Sequence, residues 1–155
     1  MTAAVVAGAI AVGALNLLAG AIGGWHWYRG ELGEGTVQRV FWPSLRVAQL
    51  ASVVLALAVG VLAAGGSYST DHLFYLYALL PLAVAFVAEQ LRIASAQTIL
   101  DQHGLEDAAA VGSLVAEEQR AIVARIMRRE MGVMTLSALV VVFLALRAAG
   151  TAHGF

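Results

Sequence analysis

Residues 3–28 read AAVVAGAIAVGALNLLAGAIGGWHWY, with no acid or base before His26. A helix rising 1.5 Å per residue needs about 20 mostly apolar residues to cross the hydrocarbon of a bilayer. This run meets that requirement alone. Working outward, Val47–Thr70, Leu73–Ala88 and Met131–Leu146 are also uncharged, and the charges fall between them. The runs predict spans over about 3–28, 47–66, 73–91 and 131–149. The expected fold is all-α: a four-transmembrane-helix bundle, one integral membrane domain over 1–155. A cytoplasmic helical hairpin extension, about 92–130, is expected between the third and fourth spans.

Composition agrees. The chain has 155 residues, 61% of them hydrophobic and 12% charged, with a mean hydropathy of +0.82. Soluble domains are about 45–50% apolar and about 25% charged. A small water-soluble domain is therefore excluded, and so is a disordered chain. With no cysteine, disulfides, thiolate metal sites and cysteine nucleophiles are excluded too. A net charge of −1 offers no bulk attraction for nucleic acid.

The basic residues are all Arg, and they set the orientation. With four spans, both termini and the 67–72 loop share one side. The 29–46 and 92–130 segments share the other, with Arg29, Arg39, Arg46, Arg92, Arg120, Arg125, Arg128 and Arg129 against Arg147 alone. Positive charge is retained on the cytoplasmic side. The expectation is a multi-pass protein of a bacterial cytoplasmic (inner) membrane, with N- and C-termini outside. Trp25, Trp27, Tyr28, Phe41, Trp42, Tyr68, Phe74, Tyr75 and Tyr77 sit near span ends, where aromatic rings favour the lipid boundary. No basic stretch precedes the first span and no cleavage site follows it, so it reads as retained.

In the 92–130 segment, Arg92–Gln102 prolongs the third span and His103-Gly104 reads as a helix stop. Val111, Leu114, Val115, Ile122, Ile126 and Met127 recur at helical spacing from Asp107 onward. Ser113 is the expected cap of a helix running through Arg129 into the fourth span, with Gly112 a weak point. The segment reads as a connector with an apolar stripe, or as a docking surface for a partner or for lipid headgroups. Over 29–46, Gly30, Gly33 and Gly35 suggest a turn. Pro43 fits the first turn of a short interfacial helix. The glycine spacing matches no phosphate-binding motif.

Polar groups inside a span need partners, because hydrocarbon supplies none. Ala9, Gly13, Asn16, Gly20 and Gly23 share one face of the first helix. Gln49, Ser52, Ala56, Gly60 and Ala63 share a face of the second, and Ala78, Pro81, Ala85, Glu89 and Arg92 a face of the third. These small faces are expected to meet in the interior, with Pro81 bending the third helix. Glu89 lies about 25 Å along its helix from His72, so the polar members share the cytoplasmic half. A candidate ligand-binding pocket is therefore Asn16, Gln49, Ser52, Glu89 and Arg92, with His26 and Arg46 at its rim. The alternative is an interhelical cluster with a Glu89–Arg92 pair at i, i+3.

His72 and His153 share a side and are the pair that could ligate haem. Neither shows a ligand spacing, so no cofactor is expected. No metal motif or catalytic triad motif is present, and no catalytic residue is expected.

The stretches Ala88-Glu-Gln-Leu-Arg-Ile-Ala, Gly104-Leu-Glu-Asp-Ala and Arg128-Arg-Glu-Met-Gly-Val-Met resemble uncharacterised small bacterial four-span integral membrane proteins. The resemblance covers the C-terminal half and implies no activity. Size and span count are similar to the membrane-associated eicosanoid and glutathione metabolism superfamily, but Arg46-Val-Ala-Gln49 departs from its Arg/His/Asn/Glu pattern. A CopD-like membrane domain is a looser likeness, again without its metal pattern. The expected function is that of an accessory or scaffold protein acting through helix faces and the extension, with the lipid bilayer and a protein partner or a second copy as its contacts. Alternatives are a protein binding a lipid, quinone or other small ligand in the inner-leaflet pocket, and an oligomeric channel or small transporter.

Overall fold

The computed structural model of the chain describes residues 2–30 and 35–153. Five helices follow in order: α1 (Thr2–Arg29), α2 (Gly35–Ala64), α3 (Leu73–Gln102), α4 (Ala108–Val111) and α5 (Ala116–Thr151). There is no strand among the described residues. Four of the helices are long and apolar enough to cross a membrane. The chain is thus an all-helical, multi-pass membrane protein by length and composition. Gly33 of the expected 29–46 turn lies outside the described residues.

The helix ends follow from local chemistry. Gly66 and Gly104 both adopt positive φ, which glycine tolerates without a Cβ clash. At each, paired bonds close the last turn: Ser67 N–H to Leu62 O with Gly66 N–H to Ala63 O, and Leu105 N–H to Leu100 O with Gly104 N–H to Asp101 O. This is the Schellman arrangement, and the expected stop at His103-Gly104 is where α3 ends. The expected start of the next helix is displaced. Asp107 accepts from Ala110 N–H and caps the single turn of α4. The Ser113 hydroxyl donates back to Ala110 O instead of capping α5. α5 begins three residues later, after Val115, with no side-chain cap.

Two further expectations are corrected. Pro43 does not open a short interfacial helix. It sits inside the continuous α2, where its missing N–H leaves the Arg39 carbonyl without a helical donor. Phe41 and Phe74 are not boundary rings. Both are fully buried, whereas Trp25 and Tyr28 near the end of α1, and Tyr68 in the 67–72 loop, are exposed.

The long helices form a ring. α1 packs extensively on α5 and on α2, α3 packs on α5, and the seam between α2 and α3 is the slightest. Two core clusters fill the ring. One joins Val5, Ala9, Val12, Leu55, Val59, Phe74, Ala78, Val141 and Ala145. The other joins Ala19, Phe41, Leu45, Ala88, Met131, Met134 and Ala138. Large side chains such as Leu57, Val61, Phe86, Phe143 and Leu146 point outward. Inside, alanines and glycines sit around a few large side chains such as Phe41, Phe74 and Met134; small interfacial residues suit lipid, where helices associate by close packing, not by expelling water. The small face of α1 is used this way. A Cβ on Gly20 would meet Leu139 of α5 at 2.9 Å. One on Gly23 would run into the Thr135 hydroxyl and the Phe41 ring. A Cβ on Gly60 of α2, expected on an interior face, would instead meet nothing within 4 Å.

At one end the 67–72 loop meets the C-terminal segment: Thr70 N–H and the Ser69 hydroxyl both donate to His153 O at 2.9 Å. At the far end α3 and α5 run beyond their apolar windows. There Ile99, Leu100, Val111 and Ile122 form a third core, flanked by Leu105, Leu114 and Ile126.

Gly23→Ala is expected to destabilise the bundle by about 1–3 kcal/mol through overpacking. Gly60→Ala should be neutral or gain up to about 1 kcal/mol from helix propensity. Thermal unfolding in detergent, followed by circular dichroism, separates the two.

Candidate functional site

Four of the seven candidate residues come together. Arg46 of α2 donates through Nη1 to Gln49 Oε1, one turn on, at 2.8 Å. The same nitrogen reaches Glu89 Oε1 of α3 at 2.5 Å. The other oxygen of Glu89 accepts from Arg92 Nε at 2.9 Å, the expected i, i+3 pair. Both carboxylate oxygens of Glu89 are therefore engaged, one to each guanidinium. Arg92 also reaches across to α5, with Nη1 3.5 Å from Glu130 Oε2. Its guanidinium lies over the Trp42 ring, 5.6 Å from the centroid. Glu130 and Trp42 were not among the sequence candidates. Glu130 was legible, since it immediately precedes the uncharged run from Met131, as Arg46 immediately precedes that from Val47.

The cluster sits where three apolar windows end. Its two Arg and two Glu sum to zero charge. Side-chain exposure is 24% for Glu89, 28% for Arg92 and 18% for Glu130, against 53% for Arg46. This is neither a free surface pair nor a sealed core one, so its contribution falls between those limits. An open depression of about 400 Å³ is lined by Trp42, Arg46, Arg92 and Glu130.

Of the other three candidates, two bond within their own helices and the third sits at the end of α1. Asn16 is buried, and its amide donates to Val12 O of its own helix at 2.9 Å. Ser52 is buried and donates to Ala48 O at 3.1 Å. Both are satisfied by the i−4 carbonyl, which meets the requirement of a polar group in hydrocarbon without a second helix. His26 is half-buried in the last turn of α1. His72 and His153 are exposed at the end where the 67–72 loop meets the C-terminal segment.

Two large grooves in the ring are apolar. One, about 530 Å³, runs between α1 and α2 past Gly8, Val12, Leu50, Val54 and Leu62. The other, about 380 Å³, lies between α3 and α5. A smaller cavity of about 290 Å³ lies beside the third core, lined by His103, Leu114, Ile122 and Arg125 among others. The His103 Nδ1 is 2.8 Å from Ile99 O. A carbonyl only accepts, so Nδ1 carries a proton, and Nε2 lies 3.4 Å from Arg125 Nη1. Among the described residues no three His, Asp or Glu side chains converge as a metal site would require.

No family model matches the chain, and neither a curated protein nor a solved structure matches it. Its chemistry rests on its own residues.

A double-mutant cycle over Arg46→Ala and Glu89→Ala should return a coupling of about 1–3 kcal/mol, above an exposed pair and below a sealed one. Unfolding of the four variants in one detergent gives the value. A coupling near zero would mean that α2 and α3 are held together by packing alone.

Proposed function

We propose that this chain is a non-enzymatic accessory or scaffold protein of a bacterial cytoplasmic membrane. Both termini lie outside and residues 92–130 form a helical hairpin in the cytoplasm. The Arg distribution supports this orientation, because the arginine-rich segments flank one end of the bundle. The observation that carries the functional reading is the third core, built from Ile99, Leu100, Val111 and Ile122. Joining two antiparallel helices takes only about 2–8 residues. A connector alone has no need of a separate core, whereas a surface that must hold its shape for a partner does.

That surface offers an outward groove on the first turns of α5, lined by Gln119, Arg120, Val123, Ala124 and Met127. Val123 in its lining is exposed, as is Val115 at the start of the helix. Glu117 and Glu118 lie close to Arg120 in the chain, and this mixture favours a protein partner over a purely anionic lipid surface. Burial of Asn16 and Ser52 inside one protomer favours the accessory reading over an oligomeric channel, which would turn those faces toward a pore.

A photo-crosslinking residue at Val123 in native membranes is expected to capture one discrete protein. Arg120→Glu should abolish the product while helix content and thermal unfolding stay unchanged. Capture of lipid alone, or a product indifferent to Arg120→Glu, would sink this reading.

A further inference from the structure

We infer that the depression lined by Trp42, Arg46, Arg92 and Glu130 is a phospholipid headgroup site, selective for a phosphodiester that carries a primary ammonium. The inference goes beyond the partner-docking reading and needs only that the four long helices span the bilayer. Depth is the first argument. Arg46 immediately precedes the uncharged Val47–Thr70 run, Glu89 and Arg92 follow Leu73–Ala88, and Glu130 immediately precedes Met131–Leu146. Three helices thus bring their charges to the level at which the hydrocarbon ends and headgroups begin. The molecule present at that level in every bilayer is a lipid.

Unspent hydrogen-bonding capacity is the second argument. A guanidinium carries five N–H donors. Arg46 uses Nη1 for Gln49 and Glu89, which leaves Nε and Nη2 without a bond among the described residues. Arg92 uses Nε for Glu89 and Nη1 for Glu130, which leaves Nη2. Both groups line the same depression, and a phosphodiester oxygen pair is the acceptor that a planar guanidinium matches best. Glu130 engages only Oε2, and at 3.5 Å, so its second oxygen remains to accept from a cation. Trp42 walls the depression with an apolar face beside Arg92.

Charge decides among headgroups. The lining carries two guanidiniums and one carboxylate, and Glu89, paired with both guanidiniums, brings the cluster to zero net charge. A zwitterion keeps that balance: its phosphodiester accepts from the remaining guanidinium N–H groups, and an ammonium that can donate meets Glu130. A choline headgroup has no N–H to donate, and a glycerol headgroup brings no cation, so each leaves Glu130 less well matched. Access is lateral, because the α2–α3 seam beside the site is the loosest in the ring.

The test is native mass spectrometry of delipidated protein titrated separately with dioleoyl phosphatidylethanolamine, phosphatidylglycerol and phosphatidylcholine. One ethanolamine lipid should be retained with occupancy about tenfold above the other two, the effect of one charge-assisted contact. Glu130→Gln should erase that preference without abolishing binding. Arg46→Gln should weaken all three lipids, and Arg147→Gln, at the opposite end, should change none. Circular dichroism of each variant reports folding. Should a cluster variant not fold, the wild-type comparison decides alone. Equal retention of the three lipids, or an unchanged preference in folded Glu130→Gln, overturns the proposal. Displacement of the lipid by equimolar soluble phosphoethanolamine would overturn the lipid assignment in favour of a free small molecule.

Discussion

Everything in this bundle depends on how closely α1 can approach α5. In water, helices associate because association removes apolar surface from solvent. In hydrocarbon that drive is absent, and contact area at short range must replace it. Gly20 and Gly23 supply the room: the space a Cβ would need is occupied by Leu139, Thr135 and Phe41. Alanines fill much of the remaining interior, with Ala9, Ala19, Ala138, Ala145 and Ala148 almost wholly buried. A few large side chains, Phe41, Phe74, Leu45, Met131 and Met134, fill the gaps that remain inside, and many others, among them Leu57, Phe86 and Phe143, clothe the ring in the apolar surface that lipid requires.

The same constraint explains the polar cluster. α2 and α3 have the slightest packed seam, and it is there that Arg46 and Glu89 bridge them. Glu89 binds one guanidinium with each oxygen, so Arg46, Arg92 and through it Glu130 form one chain across three helices. Held at the edge of the hydrocarbon, the charges keep partial contact with polar surroundings and escape the full cost of burial. The bridge ties the weak side of the ring at one end and leaves a charged hollow on its surface.

Several local features were readable because they depend on near neighbours in the chain. The helix stop at Gly104 needs only a residue that tolerates positive φ. The Glu89–Arg92 pair needs only a spacing of three. Ser113 and Pro43 went the other way. Asp107 caps the separate turn of α4 and the Ser113 hydroxyl turns back to that turn, so α5 starts without a side-chain cap, and a proline that would suit a first turn was carried inside α2 by the helix around it. Phe41 and Phe74 look like boundary aromatics by position, yet each faces the interior. Glu130 was readable from its place beside Met131, but as part of a charged helix face it gave no sign of the helix it would meet.

The sequence by itself determined that there are four apolar helices, where each crosses from polar to apolar surroundings, and which end gathers the arginines. These are properties of one segment and its solvent, so composition and length suffice. Only the tertiary structure decided that α1 lies against α5, that Gly60 faces open space, and that Arg46, Glu89, Arg92 and Glu130 share one chain of contacts. In a span the lipid-facing and core-facing sides are both apolar, so the periodicity that orients a helix in water is nearly erased. Rotation about the axis is then set by steric fit between helices, which no single segment contains.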